Sequence, residues 1–265
     1  FAILTGKETY IFLKNGDTNQ YASDDGKKLV MIKKFNVAGM ENFHTIMYNI
    51  TPAKKFENYQ QISVWDGDKK LTVTRVNMMG KNSNTGKITV AEKLELNKIY
   101  TVKIEGFEPV NVVPMGIFDS PEFGEMYNYD GNDLGSTINA DGSTTFKVWA
   151  PTAAKVVLDL YDKGNEVDAE GKPIPGSARD AKQNIEMTLG EKGVWTATVE
   201  GAGHGTYYTY TVTTAAGTET ATDPYGRAAG LNGNRTMVVD YVTHRQSFPC
   251  PTSCKIVPPR LWRRS

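Results

Sequence analysis

The feature that most constrains this chain is a rhythm. Short runs rich in β-branched and aromatic residues recur along it, among them "ETYIFL", "KLVMIKKFNV", "FHTIMYNI", "QISVW", "LTVTRV", "IYTVKI", "TFKVWA", "KVVLDLY", "VWTATV" and "YYTYTVTT". Turn formers such as "DDG", "DGD", "KNSNTG", "NADG", "EKG" and "AAG" stand between them. Runs of this length form strands, and many strands spaced by Gly, Asn and Asp turns build sandwiches. The sequence therefore predicts an all-β chain of two tandem immunoglobulin-like β-sandwiches. Only segments such as "VAEKLEL" carry a pattern compatible with a helical turn.

At 265 residues the chain has length for two sandwiches, each with its own core. The boundary is expected near residue 118. There "EPVNVVPMGIFDSPEFGEMYNYDGNDLG" combines three prolines and several glycines without clean alternation, and reads as a linker with a looped entry. Thirty basic and thirty acidic side chains cancel, so charge makes no case for nucleic acid or an anionic membrane as partner. No apolar run approaches the ~18 residues of a spanning helix. The opening "FAILTGKETYIF" has neither an initiator Met nor a basic start, and the chain is expected to begin inside a longer protein. Residues 241–265 differ in composition: they hold Arg245, Arg260, Arg263 and Arg264, both cysteines and no acid, and read as an aberrant basic tail. Cys250 and Cys254 have no second ligand pair, so no metal site is expected there.

In "TTFKVWAP", Phe146 and Val148 share one strand face, Lys147 and Trp149 share the other, and Pro151 ends the pairing. Trp195, Ala197 and Val199 form an apolar face, as do Tyr208, Tyr210 and Val212. A Trp at a sheet edge reads either as a platform for the apolar face of a sugar ring or as a core or contact residue with its indole N–H near water. Trp195 is expected in the core, and Trp149 against a neighbouring loop or the following domain. In the first half, "QISVWDGDKKLTV" sets Trp65 beside Asp66, Asp68 and Lys69. There a ring to stack on and polar groups for hydroxyls make a candidate carbohydrate contact; the same residues also read as a plain hairpin. The D-x-D spacing of Asp66 and Asp68 lacks the further oxygens a calcium ion needs.

The segments "YNYDGNDLGSTINADGSTTFKVWAPTAAKVVLDLYDKG", "GVWTATVEGAGHGTYYTYTV" and "ATDPYGRAAGLNGNRTMVVD", within residues 124–240, resemble the region just before the catalytic barrel of type I pullulanases, debranching enzymes of the α-amylase superfamily. The resemblance implies that residues 119–240 are a family 48 carbohydrate-binding module. Residues 1–118 resemble, more loosely, the extra sandwich many pullulanases carry ahead of it. It also implies structural roles for Phe146, Trp149, Pro151, Trp195, Tyr208, Tyr210, Asp223 and Pro224, and a catalytic barrel of the same enzyme and α-glucan as partners. Glycogen-binding members of the module family stack glucan on tryptophans in two loops. Here those loops read "DLYDKGNEVD" and "TTAAGTETATD", with no Trp, which favours a scaffold role.

No catalytic residue is assigned. Glycoside hydrolysis in that superfamily places two carboxylates on a (β/α)8 barrel, and the chain has no βαβα pattern. His44, His204 and His244 stand alone, with no HExxH or GxSxG nearby, and no cofactor is expected. Two functional classes stay open in the sequence: the accessory region of a debranching enzyme, and a pair of adhesion or assembly sandwiches. The halves show no self-similarity, which favours the first.

Overall fold

A computed structural model describes residues 34–51, 59–79, 84–174 and 181–241, together with four short strands before them. Those strands, β1 (Leu4–Gly6), β2 (Thr9–Phe12), β3 (Tyr21–Ser23) and β4 (Leu29–Met31), pair antiparallel in sequence order.

The first sandwich is built from β5 (Lys34–Asn42), β6 (Thr45–Thr51), β7 (Ile62–Asp66), β8 (Lys69–Lys70), β9 (Val73–Met79), β10 (Thr85–Val90), β11 (Tyr100–Ile104) and β12 (Val110–Pro114). They are bonded in the order β8-β7-β11-β12-β5-β6-β10-β9. β12 belongs to two leaves: Val110 and Asn111 pair antiparallel with β11, and Val112 to Pro114 pair parallel with β5. A strand that changes partner midway turns a corner between packed sheets. The burial pattern follows the pleat. Along β10, Gly86, Ile88 and Val90 point in, while Thr85, Lys87 and Thr89 point out. Ile46, Tyr48, Ile50 and Ile88 of one leaf thus meet Ile62, Val64, Val102 and Ile104 of the other, all nearly inaccessible to water. Each such aliphatic side chain contributes roughly 1.5–3 kcal/mol by leaving water.

Two local expectations change. "VAEKLEL" forms bends rather than a helical turn: Leu94 and Leu96 enter the core, and the Glu92 carboxylate accepts Thr72 N–H at 2.9 Å. Burying two leucines at i and i+2 needs extended backbone, which overrides a weak local helical preference. The segment read as a linker holds β12, a 3-10 turn at Gly116–Asp119 and the helix α1 (Pro121–Tyr127). Ser120 starts α1. Its Oγ accepts Phe123 N–H at 3.2 Å, and Pro121 at the first helical position needs no donor partner.

The second sandwich comprises β13 (Gly135–Ile138), β14 (Thr144–Trp149), β15 (Lys155–Tyr161), a small hairpin of β16 (Glu166–Val167) and β17 (Pro173–Ile174), β18 (Gln183–Glu186), β19 (Thr188–Leu189), β20 (Val194–Val199), β21 (Tyr207–Thr214), β22 (Gly217–Ala221) and β23 (Thr236–Met237). One sheet runs β13-β14-β20-β19 and the other β18-β15-β21-β22, with β23 also on β21. Phe146, Val148, Trp195 and Val199 from the first pack against Val156, Leu158, Tyr208 and Tyr210 from the second. The chain is all-β, with the two cores joined through segment 115–134. The tail beyond Tyr241 lies outside the described residues.

Candidate functional site

Trp65 lies on the outer face of the first sandwich, because Ile62 and Val64 take the inward positions of β7. It is half-buried. Its indole N–H donates to Ser63 Oγ at 2.9 Å, and the Lys103 ammonium sits 4.3 Å from the ring centroid. Cross-strand register sets Thr101 beside Trp65 and Asn111 beside Thr101, so a row of polar groups crosses the leaf from the ring. Asp66 and Lys69 close a two-residue turn in which Gly67 takes φ +56°, and Lys98 pairs with the Asp66 carboxylate at 3.2 Å. Asp68 and Lys69 are exposed at the tip. Hydrogen bonds that Lys98 donates to the Glu95 and Asp66 carboxylates raise its affinity for its proton. Among the described residues, no three His, Cys, Asp or Glu side chains gather as a metal site.

Trp149 occupies the junction between the sandwiches. Its indole N–H is shared between Tyr127 O and Lys192 O, both at 3.0 Å, and Phe123 meets its ring edge-on at 6.5 Å. Phe123 and Tyr127 lie on α1 and pack against the first core; Tyr127 also stacks near Phe43. The contact is therefore with the preceding helix and with the turn at Glu191–Gly193. Pro151 is buried just beyond. A Cβ on Gly193, whose φ is +78°, would come within 2.5 Å of Pro151 Cβ, so only glycine fits there. A second bridge runs from Asn111 Nδ2 to Ala215 O at 3.3 Å. Ala215 sits in the β21–β22 hairpin, within the Trp-less loop "TTAAGTETATD", so that loop touches the first sandwich.

Inside the second sandwich, Asp223 gathers donors. Its Oδ2 accepts the hydroxyls of Tyr208 at 2.8 Å and Tyr210 at 3.2 Å, and its Oδ1 accepts Tyr225 N–H at 2.8 Å. Burial pushes the Asp223 carboxyl up, opposed by those hydrogen bonds. Burial, and then the neighbouring carboxylate, push both phenols up as well. Pro224 is exposed in the turn that follows, where Gly226 N–H returns to Asp223 O. Trp195, 6% exposed, sits in the core with its N–H on Ala150 O, and Phe146 meets Tyr208 edge-on at 4.9 Å. These groups are satisfied from within and present nothing to a ligand.

One further feature has no signature in the local sequence. A polar groove of about 460 Å³ lies on the other outer face of the first sandwich, between the β6-β10-β9 surface and the turn at Gly116–Ser120. Its residues are remote from one another in the chain, and only strand register assembles them.

Two packed sandwiches bridged by a short helix define a paired β-module region. Residues 133–226 match the model of carbohydrate-binding module 48 (isoamylase N-terminal domain). A pullulanase of Bacillus subtilis (strain 168) is 27% identical over 142 residues, 54% of this chain and 17% of its own length. The pullulanase of Anoxybacillus sp. LM18-11, solved in complex with maltotriose, superimposes with a TM-score of 0.60 at 26% identity, over 82% of this chain and 29% of its own. The pullulanase of Bacillus acidopullulyticus shares the fold, with a TM-score of 0.61 at 19% identity over 78% of this chain and 37% of its own. Residues 133–226 of the second sandwich thus match a family 48 module, and the chain corresponds to the N-terminal region of pullulanases. It spans under a third of the length of the first two of these relatives.

Proposed function

We propose that this chain is the non-catalytic accessory region of a pullulanase-type α-1,6-glucan debranching enzyme, which holds a catalytic barrel in place and contacts α-glucan. One observation carries the reading: the likeness to the Anoxybacillus enzyme extends over most of the chain, so the paired sandwiches recur together and not as one isolated module. The junction supports it. Trp149, Phe123 and Tyr127 tie the modules through one helix, which suits a spacer of defined geometry. The division proposed is residues 1–118 and 119–240.

Glucan contact falls to the first sandwich in this reading, because the second offers no Trp in the loops its glycogen-binding relatives use. Trp65 is the proposed platform, with Asp66, Asp68 and Lys69 at its margin; Lys103 must swing off the ring for a sugar to stack. Affinity electrophoresis in glycogen and a reducing-end assay on pullulan test the proposal together. The chain is expected to be retarded by glycogen and to release no reducing ends. Hydrolysis by the chain alone overturns the accessory role, and unchanged mobility overturns the glucan contact.

A further inference from the structure

We propose that the polar groove on the first sandwich is a second saccharide site, one that takes a short neutral oligosaccharide without an aromatic platform. The proposal rests on the α-glucan reading for the identity of the sugar, but not for the existence of the site. The floor of the groove is a patch of cross-strand neighbours. Thr89 lies opposite Thr45 on one side and Arg75 on the other, and Lys87 lies opposite Asn77. The walls are Glu41 on β5 and Asp119 with Ser120 on the turn before α1.

Every residue lining the groove is polar or glycine. Apolar surface there is limited to the methylene stems of the charged side chains and the threonine methyls, so a wholly apolar ligand would leave the polar heads unpaired. The formal charges cancel, Glu41 and Asp119 against Arg75 and Lys87, so an anion meets two carboxylates and a cation meets two bases. What remains favoured is a neutral molecule dense in donors and acceptors. Carboxylates, a guanidinium and an amide each offer two adjacent hydrogen-bonding atoms, which suits the vicinal hydroxyls of a sugar. The volume falls in the roughly 300–1,000 Å³ range of small-molecule clefts, which suits a short oligosaccharide and not an extended polymer face.

The groups are also held in place before any ligand arrives. Lys87 pairs with Glu41, and Arg75 Nε donates to Asn77 Oδ1 at 2.8 Å. Ser120 Oγ bonds to Ile117 O at 2.8 Å while capping α1. Fixed side chains lose less freedom on binding. The two leaves face each other across the core, so this groove and Trp65 lie on opposite outer faces, and one sandwich can engage two glucan branches at once.

The test is calorimetric titration of the 265-residue chain with maltotriose. Asn77→Ala combined with Lys87→Ala is expected to weaken binding at the groove at least tenfold, with the melting temperature unchanged. Thr89→Ile obstructs the floor without touching a charge and should do the same. Trp65→Ala should leave this component intact. Loss of all maltotriose binding in Trp65→Ala, with both groove variants behaving as wild type, overturns the groove and keeps the glucan reading. Failure of the wild type to bind maltotriose, with raffinose bound and then lost in the groove variants, keeps the groove and overturns the glucan reading. Binding of neither sugar overturns both.

Discussion

The two sandwiches handle polar chemistry in opposite ways. The described buried polar and charged residues, Ser143, Thr144, Asp159, Thr209, Asp223, Arg235 and Thr236, all belong to the second. There Arg235 lies 3.6 Å from the Tyr161 ring, Asp159 holds Asn184 and Thr211, and Asp223 holds two tyrosines. The first sandwich has an almost wholly apolar interior and sets its polar groups outside, around Trp65 and in the groove. Its prominent interior exceptions are two phenols, Tyr48, which burial pushes up to about 12, and Tyr100, which burial also pushes up. A polar group inside a sandwich specifies how the sheets dock, whereas the same group outside is available to something else. The second module is thus locked by polar groups in its interior, while the first turns its polar groups outward.

The sharpest way to break this comparison is to truncate one tryptophan in each environment. Trp195→Ala removes a 6% exposed ring from the second core and should cost about 3–5 kcal/mol in urea unfolding. A loss below about 1 kcal/mol would show that the core is not organised around it. Trp149→Ala, at the junction, should cost about 2–4 kcal/mol and separate the unfolding transitions of the modules, because the shared indole N–H and the contact with Phe123 disappear. A single unchanged transition would mean that α1 couples the sandwiches without it.

Asp223 sharpens the comparison through pH, with a smaller effect. Its folded-state carboxyl is raised above the ordinary value of 3.8. Relative to Asp223→Asn, the wild type should therefore be most stable below about pH 3.8 and lose that advantage as the pH rises through the raised folded-state value. A difference that grows with pH would show that the tyrosine hydroxyls outweigh burial. The smallest change is expected at Trp65. Trp65→Ala should alter stability by about 1 kcal/mol or less, since a half-exposed ring under a lysine contributes little to folding, while glycogen retardation falls. Destabilisation equal to that of Trp195→Ala would make Trp65 a core residue.

Much of this fold could be read in the sequence because strand faces alternate locally. Phe146 and Val148 against Lys147 and Trp149 sort into buried and half-buried positions from neighbouring letters alone. The helix at Pro121, inside the segment read as a linker, was not legible, although Ser120 before Pro121 suits a helix start. It is hard to see because it spans 7 residues with Gly124 at its centre, too short for a helical period to declare itself. The groove was not legible at all. Thr45, Arg75, Lys87 and Asp119 become neighbours only through the pairing of β6 with β10 and of β10 with β9, and no local pattern encodes register between distant strands. For the same reason Trp149 could be placed at a contact, but Tyr127 as its partner could not.

The shared strand β12 has a mechanical consequence. β5 and β12 run parallel, with Val112 beside Ala38, Val113 beside Gly39 and Pro114 beside Met40. The chain enters β5 at one end of this pair and leaves β12 at the other, so tension between the termini slides the strands along each other instead of peeling them apart. In sliding, the bonds of the ladder must yield together, including that from Met115 N–H to Met40 O at 3.1 Å. In peeling they would yield one by one. The first sandwich is thus built like a lap joint, able to bear load along the chain.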